Sequence, residues 1–177
     1  MALITEDGAG LANAESYCSV ATASAYFTSH DTPEASWADL ETSEKEALLR
    51  IATEYIEQTY GARWRGYPMT DTQALSWPRG YVERGDFAAL TSTSTYLPDD
   101  EIPPLLARAT AELALRANAA PLTADIGRTT KREKAGPVEV EYFANSREQT
   151  SYPVVSDMLS RFLKPRTSGA MRGLIRS

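Results

Sequence analysis

Between Ser43 and Tyr60, Ala47, Leu48, Ile51, Ala52, Tyr55 and Ile56 stand three and four apart, with charged residues among them. This interval collects one stripe on one face of an α-helix, whereas a strand would need alternation every second residue. Ser43 and Glu46 stand at capping-box spacing ahead of the stripe, and Gly61 stands where a left-handed cap would stop it. The spacing therefore predicts a helix over 43–60. A helix with one apolar face must bury it against other elements, so the rest of the chain has to supply partners.

Three further segments qualify. Ser19 can cap a helix through about Ser29, with Val20, Ala23, Tyr26 and Phe27 on one stripe, broken after Thr32-Pro33. Asp99 to Pro104 opens a helix that carries Leu105, Leu106, Ala109, Leu113 and Ala117 to about Ala119, ahead of Pro121. Pro153 opens another over about 153–164, with Val154, Val155, Met158, Leu159, Phe162 and Leu163, stopped by Pro165. Between the last two the period changes. Val138, Val140 and Tyr142 alternate with Glu139 and Glu141, which predicts a strand, and Ala135-Gly136-Pro137 can turn it against 130–134.

The expected fold is mainly α: a small bundle of three to four helices with a long aromatic loop, a β-hairpin excursion and extended N- and C-terminal arms. The division is an arm over 1–18, a body over 19–165 containing the loop 61–102 and the β segment 129–143, and a basic arm over 166–177. Thr70 to Leu75 has room for a helical turn or two inside the loop, and 91–98 is low in complexity.

Charge divides the chain in the same way. The net charge is −6, but residues 1–60 carry −9 and residues 128–177 carry +5. From Lys164 onward there are four bases and no acid. Such asymmetry marks a segment that meets a different partner from the body. No apolar run approaches the roughly 18 residues of a membrane span, and acids near the N-terminus speak against a signal peptide. One cysteine, Cys18, fits a reducing compartment.

One histidine and one cysteine leave little room for catalysis. His30, between Ser29 and Asp31, reads as a helix-end residue pairing with terminal carbonyls, and Cys18 as a small buried residue with no base beside it. Glu54 and Glu57 share a helix face, yet nothing converges on them. Neither a dinucleotide loop nor a phosphate loop is present. The expectation is a protein that is not an enzyme, with no metal and no cofactor.

Two clusters interleave arginine with aromatics: Arg63, Trp64, Arg65 and Tyr67, then Trp77, Arg79 and Tyr81. Single-stranded nucleic acid is held by this combination, with bases on rings and phosphates on guanidiniums. The competing reading is that tryptophans in a loop after a helix fold back to cover the core.

The ordered set Asp7-Gly-x-Gly-Leu-Ala-Asn-Ala-x-Ser16-Tyr17, Ala-Leu-Ser-Trp77-Pro78-Arg79, Ile102-Pro103 and Lys131 to Tyr142 resembles a family of small proteins from tailed bacteriophages and prophages. Members carry the label DnaT-like single-stranded-DNA-binding protein, and the same type of protein resembles the head–tail connector, or adaptor. The connector resemblance implies a structural virion protein of the neck, made in the host cytoplasm. It implies a homo-oligomeric ring of about twelve copies under the portal protein. DNA would pass through that ring during packaging and ejection, with a stopper or tail completion protein on the tail side and no membrane contact. It also implies that the C-terminal arm docks on the portal, through Lys164, Arg166, Met171, Arg172, Leu174, Ile175 and Arg176. An inter-subunit β segment would use Lys131, Arg132, Val138, Val140 and Tyr142. The DnaT-like label implies instead that the Arg/Trp loop is exposed and holds single-stranded DNA.

Overall fold

Ser19 accepts a hydrogen bond from the Thr22 amide at 3.1 Å, and this cap starts α1, Val20–Ser29. The computed structural model describes residues 2–30, 35–84, 95–124, 130–134, 139–142 and 150–165. The short α2, Ala35–Ala38, leads into α3, Thr42–Tyr60. Its capping box lies two residues earlier than the sequence suggests. Glu41 is the N-cap, and the Glu44 carboxylate accepts from the Glu41 amide at 2.9 Å. Gly61 is right-handed at φ −49 and continues into a 3-10 turn over Gly61–Arg63, so it does not cap the helix in the left-handed form. Then α4, Pro104–Ala119, begins with proline in its first turn, where a missing amide proton costs nothing.

The stripes meet with their faces turned from the expected ones, since Ile51 and Val154 are exposed while Leu49, outside the expected stripe, is fully buried. Leu106, Ala109 and Leu113 of α4 are buried with Leu49, Ala52 and Ile56 of α3, and with Ala23 and Phe27 of α1. The last helix, α5, is Pro153–Leu159 and buries Val155 and Leu159 against α4. It ends short of 164. Ser160–Phe162 tightens to a 3-10 turn, and Leu163 leaves the helix to bridge Trp64 in antiparallel fashion. The fold is thus mainly helical, four helices packed together. A two-stranded antiparallel hairpin accompanies them, β3 Thr130–Lys134 with β4 Glu139–Tyr142, pairing Lys134 with Glu139 and Glu133 with Val140. Lys131, Arg132, Val140 and Tyr142 lie on these strands, whereas Val138 and the turn 135–137 lie outside the described residues.

The N-terminal segment reads as an arm but is sewn onto the body. Thr5 bridges Ser16, the Glu6 amide donates to the Ser16 carbonyl at 2.8 Å, and Glu15 pairs with Arg50 of α3 at 2.9 Å. Glu6 is buried, and its carboxylate accepts from the amides of Gly8, Gly10 and Leu11 at 3.0, 2.8 and 2.8 Å. Gly8 has φ +107 and lies so close to the Asp100 carbonyl that a Cβ would sit 2.0 Å from its oxygen. Only glycine allows this seam between the strap and the residues before α4. Replacing Glu6 with alanine strands three inward amides, so Glu6→Ala should cost about 1–3 kcal/mol. A urea midpoint equal to that of the parent would show that the strap is not held this way.

Candidate nucleic-acid interface

The loop between α3 and α4 sorts its aromatic residues by depth. Trp64 and Trp77 are inside, in edge-to-face contact at 5.9 Å, and Trp77 meets Phe162 in the same manner at 5.5 Å. Their indole N–H groups are buried with no hydrogen-bond partner among the described residues, so the apolar area they bury outweighs two orphan donors. The backbone around them is tied to α3. Tyr17 donates to the Glu57 carboxylate, Ser76 Oγ donates to its other oxygen at 2.6 Å, and the Trp77 amide donates to the Tyr17 oxygen at 3.2 Å. Burial, then the adjacent Glu57 charge, hold the Tyr17 phenol well above its ordinary pKa, so it stays protonated as the donor in this network.

Arg79 does not face solvent either. It is buried, and its guanidinium donates to the carbonyls of Arg65 at 2.7 Å, Gly66 at 2.8 Å and Ser76 at 3.1 Å. Burial pulls its pKa down from the usual arginine value, and the hydrogen bonds to three carbonyls compensate for its lost hydration. The strands it clamps are β1, Tyr67–Pro68, and β2, Arg79–Gly80, with Tyr67 opposite Gly80. Gly66 takes φ +66 there, and a Cβ on it would lie 2.1 Å from the Gly80 carbonyl oxygen. Thr70 to Leu75 makes no helical turn. Thr70 and Gln73 instead exchange side-chain and main-chain hydrogen bonds in a compact bend.

What remains outside is a group of tyrosines. Tyr67 and Tyr81 are 71% and 70% exposed, with ring centroids 6.4 Å apart, and Tyr96 at 42% lies 5.5 Å from Tyr81. Both contacts are edge-to-face. Met69, also exposed, lies on the Gly80 side of the same strands. Tyr81 has φ +59, between the buried Gly80 and Val82. Segment 95–97 is held beside it by Arg84 N to Thr95 O at 2.9 Å and Leu97 N to Val82 O at 2.8 Å. Arg65 and Arg84 stand at the rim. Arg65 Nη1 is 3.8 Å from Glu83, its Nε donates to the Leu163 carbonyl, and Arg84 Nε donates to the Tyr96 carbonyl at 2.8 Å.

The sequence clusters are therefore split. Trp64, Trp77 and Arg79 belong to the interior, against the reading that exposes the Arg/Trp loop, while Tyr67, Tyr81 and Arg65 come together on the surface. Arg63 keeps its guanidinium near the Lys164 carbonyl, at 3.2 Å. Tyr96 was not singled out by sequence, because it sits in a Ser/Thr-rich stretch with no period; an aromatic there was the only signal. The chain leaves the body beside this face, since Lys164 N donates to Arg63 O at 2.7 Å. Arg166, Met171, Arg172, Leu174, Ile175 and Arg176 lie outside the described residues.

Elsewhere the chemistry is sparse. His30 Nδ1 contacts the Tyr26 carbonyl at 2.9 Å, the helix-end role its position suggests. Burial pushes the Cys18 thiol up to about 12, so it is no nucleophile near neutral pH. Glu57 is committed to Tyr17 and Ser76, while Glu54 accepts from Gln58 on an open groove of about 540 Å³ beside α3. Among the described residues no group of three or more His, Cys, Asp or Glu could hold a metal, and no helix is long and apolar enough to cross a membrane.

Over its whole length, residues 1–177, the chain matches the family described as "Putative DnaT-like ssDNA binding protein", and it belongs to that family. No curated protein and no solved structure gives a significant match.

The two classes of aromatic residue should respond oppositely to substitution. Trp77→Ala should lose about 3–5 kcal/mol of stability as a core truncation. Tyr81→Gly should leave stability unchanged or raise it by about 1 kcal/mol, because glycine relieves a left-handed tyrosine. Thermal melts of the two variants decide the matter; a marked loss in Tyr81→Gly would place that ring in the core.

Proposed function

We propose that this member of the DnaT-like family binds single-stranded DNA, and does so without its tryptophans. The full-length family match supports that ligand, and one observation of the fold carries the reading: three tyrosine rings are gathered on the surface with arginines at their rim. Unpaired bases stack on such rings irrespective of sequence. The stretch from Lys164 onward carries four bases and no acid, and Lys164 itself is bonded to Arg63. An oligothymidylate titration followed by fluorescence anisotropy should give binding that weakens as salt rises, and weaker binding to a duplex of equal length. Equal affinity for both forms would remove this reading.

A second reading is the structural one, a phage head–tail connector subunit assembled under a portal. Here the net charge of −6 and the inward tryptophans favour it, because an acidic body with its largest rings buried is poorly built as a nucleic-acid clamp. The C-terminal residues 166–177 would dock on the portal, the hairpin would pair with a neighbouring subunit, and DNA would cross the ring. Deleting residues 166–177 should then give particles that package DNA but lose this subunit and fail to join tails. Normal retention of the truncated protein on particles would eliminate the arm as the docking element.

A further inference from the structure

The geometry points to Tyr67, Tyr81 and Tyr96, rimmed by Arg65 and Arg84, as a base-stacking platform for a short run of unpaired nucleotides. This rests on the single-stranded-DNA reading and names its site. Every tryptophan of the chain is buried and the core closes without these tyrosines, so packing of the monomer gives no reason for their exposure. In an edge-to-face pair only one face of one ring is covered by its neighbour, and at 71% and 70% exposure Tyr67 and Tyr81 keep ring surface open on which a base can stack.

Position matters as much as exposure. Tyr81 projects from a left-handed backbone between two buried residues, and the surroundings hold it there: β1 pairs with β2, Arg79 clamps both, and Leu97 bonds to Val82. A non-glycine residue held in that region is an outlier of the sort that gathers at ligand sites. Arg65 is fixed by its Nε bond to the Leu163 carbonyl, and among the described residues its Nη1 has a long contact with a largely exposed Glu83. It is placed to meet a phosphate when bases occupy the rings. Arg84 is held on the other side through the Tyr96 carbonyl.

The test uses the full-length chain and three fluorescein-labelled probes: a thymidine 20-mer, the corresponding duplex, and an abasic strand of equal charge. Tyr67→Ala and Tyr81→Ala are each expected to weaken thymidine binding about tenfold, a loss within the range measured for stacking residues, while Tyr67→Phe retains it. The abasic strand should bind weakly and be indifferent to both alanine changes. Arg65→Ala should weaken both single strands alike and lower the salt slope by about 0.7. Tyr67 has ordinary backbone geometry, so its variants keep the test sound if Tyr81→Ala is poorly folded.

The failures separate. If the parent binds the thymidine strand and the Tyr67/Tyr81 double alanine variant binds it equally, the platform is refuted while the single-strand reading stands on that binding and on the family match, through another surface. If the parent binds no oligonucleotide, the reading falls and the platform with it. If the alanine changes instead abolish self-association seen by light scattering, the face belongs to a second copy of the chain and the platform is likewise refuted.

Discussion

The burial of Trp64 and Trp77 against Phe162 turns the long connection between α3 and α4 into a wall of the core. Once these rings are inside, the backbone that carries them must come in too, and its carbonyls need donors. Arg79 supplies three hydrogen bonds from one guanidinium, and the Tyr17–Glu57–Ser76 network holds the other end of the loop to α3. The same packing stops the last helix. Leu163 pairs with Trp64, and the Arg65 amide donates to the Phe162 carbonyl at 2.9 Å, at the end of the 3-10 turn where a continuing helix would have used that carbonyl itself. A loop thus sets where a helix ends, and where the C-terminal stretch leaves the body.

The helices were legible because their signal is periodic and local. The stripe of α3 placed Ala52 and Ile56 in the core but took Ile51, which is exposed, in place of the buried Leu49, because a run of adjacent apolar residues leaves the face ambiguous; proline marked the first turns of α4 and α5. Boundaries were less legible. Ser43 and Glu41 both precede a glutamate three residues on, and local chemistry alone does not decide between two overlapping capping boxes. The loop was legible only in composition. Arginine beside tryptophan reads as an exposed binding pair, but the pattern holds equally for an internal clamp, because a guanidinium satisfies buried carbonyls as well as phosphates. Which ring turns inward depends on Phe162 and Leu163, about a hundred residues further along the chain, and no local pattern records that.

Charge shows the same division between the whole and the part. A net charge of −6 argues against broad affinity for phosphate, yet exposed charges more than about 8 Å apart are largely screened at physiological salt. The acids of α3 face Arg50, Tyr17 and solvent on the body, while the tyrosine face has Arg65 and Arg84 as its immediate cations. Stacking also draws little on net charge, being a contact between a ring and a base. A modest electrostatic contribution with a larger stacking contribution is what this distribution favours.

The two functional readings differ in how strongly a surface must hold DNA. A platform that stacks bases retains a strand, whereas a channel lining must let one slide. Exposed tyrosines on a rigid clamp serve the first purpose and hinder the second, because each stacked base adds a barrier to movement. Rigidity is the telling part. Gly66 and Gly80 bring β1 and β2 close, Arg79 locks them, and Tyr81 is kept in a conformation that a relaxed loop would abandon. Such a scaffold would suit the proposed ligand, whose bases need rings in fixed register, better than a surface whose only task is to be passed over.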